Sequence, residues 1–464
     1  FTVGTFLNGK LHYGLESKEG GRHETRKAEG LDSIFNSISV NPKRFKTGTP
    51  PRLDVDTIKF SEMEVQPSDP NVESMHVLHG TFERFLEQKN CYLTYTNVES
   101  MTVIRDNKDK SPMFNGNIKA TGARYCPSIE DKAYRYPDKN IHHVFVEPEG
   151  LGLNTMYPSG ISTSLPVDVQ KKMVNSIAGL EQAEILVPGY AVEYDVVDTT
   201  QLDLTLQLIN LPGLYFAGQV NGTSGYEEAA GQGMIAGYNA ALSLLGREPL
   251  VLSRNDSYIG VMVEDLVSNL RDEPYRLFTA RSENRLYIRE DNTALRMAKY
   301  RHSLGLFNHI DEYLELFSQS YDCYMDLFQK TLVDTREMFY VEQNIKFDKK
   351  VTLIEILKLS HINPIEFLAS YFDYNSIQVD QRLVKCLAIS VKYSGYIAKS
   401  DEINQKTYRL DEKPIEWAKL VESENISFEC KQRITAIKPT TFGQLRRIEG
   451  IRQATLSAVA GQYY

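Results

Sequence analysis

Cys126 lies in a segment whose side chains are suited to thiol chemistry. Residues 123–138 read ARYCPSIEDKAYRYPD, so the cysteine follows Arg124 by two positions and directly precedes a proline. The thiolate is the reactive form of cysteine, and a nearby cation or a helix start favours it by lowering the thiol pKa. Arg124, or a helix beginning just after Pro127, would therefore activate Cys126 as a nucleophile. Core packing is the alternative, because unpaired cysteines often behave as small apolar residues.

A glycine-rich segment in the middle of the chain is a second candidate site. Residues 214–245 read LYFAGQVNGTSGYEEAAGQGMIAGYNAALSLL, which predicts a short apolar strand, a loop and a helix. The loop contains Gly218, Gly222 and Gly225, and small residues there let an anionic or polar ligand approach the backbone N–H groups of a helix start. The order predicts a ligand-binding strand–loop–helix unit, with tight packing of the helix as the alternative.

The opening of this unit, a strand followed by Ala-Gly-Gln, resembles the second dinucleotide motif of flavoproteins. A complete site of that kind also needs a G-x-G-x-x-G turn to hold the pyrophosphate. GTFLNG and SKEGGR have the wrong spacing for it. Either the flavin interpretation is wrong, or the pyrophosphate-binding half lies upstream of residue 1.

The elements that must position these residues change in type along the chain. Up to about residue 245, β-type runs such as HHVFVEP and AEILVPG alternate with Gly, Pro and Asn. From about residue 255, apolar residues at three- and four-residue spacing predict amphipathic helices, ending in a helix–turn–helix module. Residues 60–112 read as an insertion, with a short helix over VLHGTFERFLEQK and a strand over CYLTYTNV.

Composition excludes several classes of protein. Hydrophobic residues make up 42% and charged residues 24% of the chain, as in globular proteins, and no apolar run is long enough for a membrane span. The five cysteines form no C-x-x-C pair and the nine histidines are scattered, which argues against a disulfide framework or a metal cluster. The net charge of −9 means that nucleic acid would have to bind at local basic patches such as NPKRFKTGTPPR and EPYRLFTARSENRLYIRE.

A series of segments, taken in order, resembles the MnmG (GidA) family, which includes mitochondrial relatives. They include GTFLNGKLHYGL, FKTGTPPRLD, SPMFNGNIKATGARYCPSIEDK, GLYFAGQVNGTSGYEEAAGQG and EPYRLFTARSENRLYIREDN. The resemblance implies an α/β, Rossmann-like FAD/NAD(P)-binding fold that is incomplete at the N-terminus, where about 150 residues with the G-x-G-x-x-G turn would be missing. It also implies an inserted α+β subdomain and a C-terminal all-helical domain.

The domain boundaries expected from this resemblance divide the chain into five pieces. They are the FAD-binding domain over 1–58 and 121–250, an inserted NAD-binding-like subdomain over 59–120, a helical tRNA-binding domain over 251–412 and a C-terminal helical module over 413–464.

The implied activity is an FAD-dependent modification of C5 of the wobble uridine in tRNA, carried out with the GTPase MnmE. Methylenetetrahydrofolate would supply the one-carbon unit, glycine, ammonium or taurine the amine, and NADH the electrons for the flavin. A homodimer with no membrane partner is expected. The divergent segment QPSDPNVESMHVLHGTF favours a mitochondrial matrix protein of a eukaryote; in a bacterium the protein would be cytoplasmic.

The resemblance assigns Cys126 as one of two catalytic cysteines and the segment around it as a nicotinamide-dinucleotide region. The basic residues of this segment would bind phosphates, and the acidic residues would bind ribose hydroxyls. Ion pairing between the basic and the acidic residues is the alternative. The expected cofactor-binding residues are Gln219, Gly218, Gly222, Gly225, Glu227, Gly122, Arg124, Tyr125, Ser128, Glu130, Asp131, Lys132 and Arg135.

Arginines and a lysine are the expected tRNA contacts, because the planar guanidinium group donates two hydrogen bonds to a phosphate at once. They are Lys46, Arg52, Arg276, Arg281, Arg285 and Arg289. The interleaved acids Glu283, Glu290 and Asp291 make a solvated charged helix face the alternative.

Two other functions stay open. The folate- and FAD-dependent tRNA uridine methyltransferase family TrmFO shares the flavin fold, but lacks a helical region such as residues 255–464. A non-catalytic fragment that binds tRNA or MnmE is the second. After GGR, the charged and bulky HETRKAEG replaces the small residues usual in the MnmG family, which argues against flavin contact in that loop.

Overall fold

The computed structural model describes residues 1–38, 42–70, 72, 74–75, 84–122, 127–269, 271–305, 309–411, 413–448 and 450–461. Three residues expected in the site, Arg124, Tyr125 and Cys126, lie outside these ranges. The described chain divides into two compact units. The first contains the described residues of 1–249 together with 265–277, and the second those of 250–264 and 278–461.

The first unit combines two sheets with helices. Its strands are β1 (Lys10–Tyr13), β2 (Glu16–Glu19), β3 (Lys43–Thr49), β4 (Arg52–Asp54), β5 (Glu64–Gln66), β6 (Cys91–Tyr95), β7 (Thr121–Gly122), β8 (His143–Pro148), β9 (Thr155–Ser159), β10 (Ile185–Val187) and β11 (Tyr190–Val196). Its helices are α1 (Leu31–Ser37), α2 (Val98–Asp106), α3 (Ile129–Arg135), α4 (Val167–Asn175) and α5 (Tyr226–Leu244).

The first sheet has the order β2-β1-β11-β3-β7. Strand β11 is buried along its whole length and pairs antiparallel with β3 from Tyr190 opposite Thr49 to Val196 opposite Lys43. At the far edge, β7 pairs with β3 in parallel and puts Gly122 opposite Lys46. The sheet therefore brings the end of β7, where the segment with Cys126 begins, next to the middle of β3.

The second sheet is antiparallel throughout, with the order β10-β4-β9-β8-β6-β5. Strand β8 alternates exposed His143 and Phe145 with buried Val144 and Val146, as a sheet with one face on a core requires. That core also contains Met101 of α2, Ile129 of α3 and Met173 of α4. This sheet is not confined to the predicted insertion at 59–120. Strands β5 and β6 lie within the insertion, whereas β4 precedes it in the chain and β8, β9 and β10 follow it.

The insertion differs from its prediction in one element. The strand over CYLTYTNV is present as β6, but the described part of VLHGTFERFLEQK, residues 84–89, is not helical. Residues 77–83 of that segment lie outside the described ranges. In the described part, Phe85 and Leu86 are exposed, so this stretch has no apolar face packed on a core that would stabilise a short helix.

The second unit is mainly helical. Its elements are α6 (Tyr258–Ser268), whose last residues belong to the first unit, α7 (Thr293–Leu304), α8 (His309–Lys330), β12 (Leu332–Val333), α9 (Met338–Glu342), β13 (Val351–Thr352), α10 (Leu353–Leu357), α11 (Pro364–Tyr374), α12 (Gln381–Asp411), α13 (Trp417–Glu422), α14 (Phe428–Ile437), α15 (Phe442–Arg447) and α16 (Gln453–Ala460).

Among its described residues, the second unit contains a large apolar core and a smaller one. Phe328, Leu353 and Leu387 belong to the larger core, and Ile434 and Leu445 to a smaller core near the C-terminus. The predicted helix–turn–helix at the end of the chain is confirmed as α15 and α16. Among the described residues, no helix is long and apolar enough to cross a membrane, and no cluster of His, Cys, Asp and Glu has the make-up of a metal site.

Candidate functional site

Helix α3 begins just after Pro127, as the sequence predicts. Ser128 is its N-cap: the Ser128 Oγ accepts from the Asp131 backbone N–H at 3.2 Å, and Asp131 Oδ2 accepts from the Ser128 N–H at 3.3 Å. This reciprocal capping box satisfies two backbone donors that a helix start would otherwise leave unpaired. It fixes the geometry of the chain immediately after residues 123–126.

Glu130 is fully buried on α3. Its Oε1 accepts from the Thr163 hydroxyl at 3.1 Å and from the Ser164 backbone N–H at 2.8 Å and hydroxyl at 3.1 Å. The second carboxylate oxygen has no hydrogen-bond partner among the described residues. Lys132 likewise turns to the protein, donating to the Gly160 carbonyl at 3.0 Å. Both side chains therefore tie α3 to the segment between β9 and α4.

A cavity of about 280 Å³ lies where β3, β7 and α3 meet. Its walls come from Lys46, Met113, Ile118, Ala120, Thr121, Gly122, Asp131, Arg135 and Glu273. The structure thus brings three residues of the expected cofactor set, Gly122, Asp131 and Arg135, together with Lys46, an expected tRNA contact.

Lys46 is a buried cation in this cavity, with its side chain 9% exposed. Its Nζ lies 3.8 Å from Asp131 Oδ2 and donates to the Met113 sulfur at 3.0 Å. A Cβ on Gly122 would lie 2.4 Å from Cε of Lys46, so any other residue at the end of β7 would force this lysine side chain to shift. The burial places Lys46 in a small cavity rather than on a surface open to phosphates.

The glycine-rich turn after residue 217 is held by a network around Gln232 of α5. Residues Gly218–Asn221 form a single 3-10 turn, and both Gly218 and Gly222 have positive φ, +85° and +74°. Gln232 Oε1 accepts from the Gly218 N–H at 3.1 Å and from the Asn221 amide at 2.8 Å. The turn is thereby fixed against the helix, with glycines where other residues would be strained.

The segment before the turn is extended but is not a strand of either sheet. Tyr215 accepts a hydrogen bond of 2.6 Å from the amino group of Phe1, and Ala217 donates one of 3.0 Å to the Phe1 carbonyl. The predicted strand over LYF is therefore not a strand of this structure: residues 214–217 are extended, with an isolated bridge between Tyr215 and Gln207.

Two acids open α5, and they differ in role. Glu227, the one expected to bind cofactor, is exposed, whereas Glu228 is 4% exposed. Glu228 Oε1 lies 3.3 Å from Arg276 Nε and accepts from the Leu277 N–H at 3.0 Å. Glu228 and Gln232 are not among the residues predicted from the sequence, although their spacing of four residues places them on the same face of a helix.

Polar atoms at the turn are left available for a ligand. The Ser224 hydroxyl and the Asn221 amide oxygen are buried without a hydrogen-bond partner among the described residues. Gln219 is half-buried beside the Tyr194 hydroxyl, and burial raises the pKa of Tyr194 to about 12. A buried donor or acceptor without a partner is costly, so such atoms indicate a site that a bound group would complete.

Comparison with known proteins decides the family. The model of the family "Glucose inhibited division protein A" matches residues 1–248, and that of the "tRNA modifying enzyme MnmG/GidA C-terminal helical bundle" matches residues 417–461. The chain belongs to the MnmG/GidA family. Two relatives, both named tRNA uridine 5-carboxymethylaminomethyl modification enzyme MnmG, are 40% identical to it: that of Thermodesulfovibrio yellowstonii over 98% of the chain and that of Pediococcus pentosaceus over 99%, each across 73% of the relative's length.

Solved structures of GidA confirm the predicted fold class. Aquifex aeolicus GidA in two crystal forms gives TM-scores of 0.81 and 0.82 at 37% and 38% identity. The matches cover 99% and 100% of this chain and 74% and 75% of the GidA chains. The fold is therefore the FAD-binding, Rossmann-like fold with a C-terminal helical bundle.

Membership of the MnmG/GidA family implies FAD, and the described residues fit that cofactor at the glycine-rich turn. Gly218, Val220 and Asn221 of this turn are buried and Gln219 is half-buried, and the orphaned Ser224 and Asn221 atoms offer hydrogen bonds to a polar ligand. Gly218, Gly222, Gly225 and Gln219 of the expected set lie together at this turn. Gly122, Asp131 and Arg135 belong instead to the cavity beside α3.

The arginines expected to bind tRNA in the MnmG/GidA chain are largely used within the protein. Arg52 Nε donates to Glu149 at 2.8 Å, Arg276 pairs with Glu228, and Arg289 binds both oxygens of Asp291 at 2.9 and 2.8 Å. Arg285 is exposed and Arg281 half-exposed. In the C-terminal module, Arg446 and Arg447 both pair with Asp411.

Proposed function

We propose that this chain modifies C5 of the wobble uridine of tRNA, adding a carboxymethylaminomethyl or taurinomethyl group together with an MnmE-type GTPase. The observation that carries the proposal is 40% identity, over 98% of the chain, to an enzyme named for this modification. Methylenetetrahydrofolate is the one-carbon donor, NADH the reductant and a homodimer the working form in this proposal. The C-terminal helical bundle match favours it over a TrmFO-like methyltransferase, whose family lacks this region.

Cys126 is the nucleophile of the proposed reaction. C5 of uracil is a poor nucleophile, and addition of the Cys126 thiolate to C6 moves electron density to C5. C5 then forms a bond to the electrophilic one-carbon unit, the C5 proton leaves to a base, and breaking of the sulfur–C6 bond returns the thiolate. FAD, when bound, supplies hydride-transfer chemistry to the site.

The protein's own residues support that thiol by position and by charge. The Ser128 cap sets the start of α3 two residues after Cys126, and a helix start favours a nearby anion. Gly122, four residues before Cys126, lies against the buried Lys46 ammonium. A nearby cation and a helix start are the two features that favour a thiolate over a neutral thiol.

The proposal is tested by measuring the modification of the wobble uridine in tRNA. In cells that lack the endogenous enzyme, the full-length protein is expected to restore the modified uridine, and Cys126→Ser is expected to abolish it, as measured by mass spectrometry of tRNA nucleosides. Cys323→Ser is the matched control, because Cys323 is exposed on α8 in the second unit. A Cys126→Ser protein that modifies tRNA normally would overturn the catalytic assignment.

A colourless protein that still binds tRNA would instead identify a non-catalytic binding fragment. Purified protein is therefore examined for flavin absorbance before the assay, since a flavoenzyme retains its cofactor's colour.

A further inference from the structure

Six charged side chains form a closed ring of ion pairs in the second unit. Each arginine of the ring pairs with two carboxylates, and each carboxylate pairs with two arginines. In order around the ring, the members are Arg254, Glu264, Arg447, Asp411, Arg446 and Glu283. All six belong to the second unit, and the three positive charges balance the three negative ones.

The ring joins the C-terminal module to the residues that open the second unit. Arg447 Nη1 of α15 lies 2.6 Å from Glu264 Oε1 of α6, and Arg446 Nη1 lies 3.5 Å from Glu283 Oε1. Arg254, whose side chain is 6% exposed, pairs with both of these glutamates, at 3.8 Å from Glu264 and 3.2 Å from Glu283. The contact between α15 and α6 is therefore ionic.

Asp411 fixes the two arginines of α15 in this direction. It is the last residue of α12 and is 8% exposed. Arg446 donates to both of its carboxylate oxygens, at 3.1 and 2.9 Å, and Arg447 donates to Oδ2 at 2.9 Å. A Cβ on Gly443 would lie 2.8 Å from the Asp411 Cβ, so the lack of a side chain there lets α15 lie directly against this carboxylate.

The C-terminal module has an apolar core of its own, which includes Ile434, Leu445 and Val459. Leu410, near the end of α12, packs against that core, so α12 carries the module. Polar contacts between separately folded parts of a chain are typical of parts that move relative to each other. The Arg446, Arg447 and Glu283 side chains are 21%, 19% and 33% exposed, so mobile ions reach the ring and weaken its pairs.

We propose that this ring is an ionic latch that holds the C-terminal module on α6. In the closed state, the ring ties α15 to α6. In the open state, the module stays folded on the end of α12, and the two arginines of α15 no longer contact the glutamates. The inference does not depend on the reaction proposed above.

A distance across the latch tests the proposal in the purified full-length protein. Spin labels are attached at Ala280→Cys and Glu424→Cys, two exposed positions on either side of the ring, in protein whose other accessible cysteines are replaced by serine. Pulsed electron paramagnetic resonance is expected to show one short distance at low salt. In about 1 M salt, where charges are screened beyond about 3 Å, a longer and broader distance is expected to appear.

Variants of α15 identify the charges as the cause. The double variant Arg446→Gln and Arg447→Gln is expected to raise the ratio of long to short distances at least about tenfold at low salt, because it removes the charge-assisted hydrogen bonds of the ring. Replacing both arginines by lysine keeps their charge and is expected to open the latch less. Arg452→Gln is the control, since Arg452 is 63% exposed and pairs with Glu429 inside the module.

The emission of Trp417 separates opening of the latch from unfolding of the module. It is the single tryptophan of the chain and packs against the module's core, so its emission is expected to stay unchanged in all variants. Identical distances in wild type and the glutamine variant at both salt concentrations would overturn the proposal. A lysine variant as open as the glutamine variant, or a change of Trp417 emission together with the distance, would overturn it too.

Discussion

At the scale of single residues, Glu228 shows how a buried charge shapes the candidate FAD site. Its carboxylate is held by Arg276 and by the Leu277 N–H, and it also occupies the space beside Gly225. A Cβ at residue 225 would lie 1.5 Å from Glu228 Oε2. Since Gly225 has φ −95°, which any residue can adopt, the requirement for glycine there comes from the carboxylate and not from the backbone.

This arrangement predicts a strongly non-additive pair of substitutions. Gly225→Ala is expected to cost about 2–4 kcal/mol, because the carboxylate must leave its partners, and Glu228→Ala about 2–3 kcal/mol, because it removes the ion pair with Arg276 and the acceptor of the Leu277 N–H. The double variant is expected to cost clearly less than the sum, since the clash is gone. Chemical denaturation of the four proteins measures it.

The control for this cycle is Gly233→Ala on the same helix, where a Cβ would meet nothing within 4 Å and little loss of stability is expected. Additive effects of Gly225→Ala and Glu228→Ala would show that the two side chains do not compete for this space.

Residue roles at this site were only partly predictable. The glycine and glutamine positions of the turn follow from the AGQ motif. Which of Glu227 and Glu228 is buried at the site depends on which face of α5 packs on the protein, and the contacts of Glu228 with Arg276 and Leu277 establish that face. The same holds for Lys46, because only the parallel pairing of β3 with β7 places it opposite Gly122.

At the scale of elements, the first sheet buries a charged contact between its strands. Glu193 of β11 is 6% exposed; its Oε2 lies 2.9 Å from His12 Nε2 of β1, and its Oε1 accepts from the Ala120 N–H at 3.3 Å. Burial alone would raise the pKa of Glu193, but the hydrogen bond to His12, with the charges of His12 and Arg44, holds it below its ordinary value. The carboxylate thus links β1 and β11 to the residue that precedes β7.

This contact predicts a stability that depends on pH. A carboxyl group whose pKa is lowered by folding stabilises the folded protein above its ordinary pKa, and that contribution is lost as the pH falls through the lowered value. Glu193→Gln is therefore expected to cost about 1–3 kcal/mol at neutral pH, and the difference from wild type should shrink as the pH falls below 4.5.

The difference in the free energy of unfolding is measured at each pH by urea denaturation, with hydrogen exchange of the β11 amides as the probe of the folded sheet. Glu16→Gln, an exposed carboxyl on β2, controls for the general loss of a negative charge. A difference between Glu193→Gln and wild type that is constant from neutral pH to pH 3 or so would contradict the linkage.

Elements with a clear period were predictable from the sequence and those that depend on distant partners were not. The alternation of HHVFVEP gives β8, and the apolar spacing of HIDEYLELFSQSYDCYMDLFQK gives α8. The extended residues at 214–217 look equally like a strand, but a ladder needs a neighbouring strand in register, and no local pattern supplies that information.

At the scale of the whole molecule, charge limits how tRNA can bind. The net charge of −9 repels phosphates at long range, so binding depends on a local basic surface and should weaken steeply with salt. In the segment around residues 273–290, Arg289 is 14% exposed and bidentate on Asp291, whereas Arg285 is exposed. The two arginines are therefore separable: Arg289 is held within the protein, whereas Arg285 is exposed and is the one that we expect to meet a phosphate in the proposed tRNA binding.

Substitution of Arg285 and of Arg289 is expected to have different effects. Arg285→Ala is expected to lower tRNA affinity and to reduce the slope of log affinity against log salt by about one phosphate contact, with no loss of stability. Arg289→Ala is expected to destabilise the second unit by about 1–3 kcal/mol, because it leaves Asp291 buried without its partner. Filter binding of tRNA at several salt concentrations measures the affinity and its salt slope, and thermal denaturation measures the stability.

Arg336→Ala, an 85% exposed arginine outside this segment, controls for the loss of one positive charge. An unchanged salt slope for Arg285→Ala would remove this segment from the tRNA-binding surface, because an exposed arginine on a phosphate cannot be lost without releasing fewer counterions on binding.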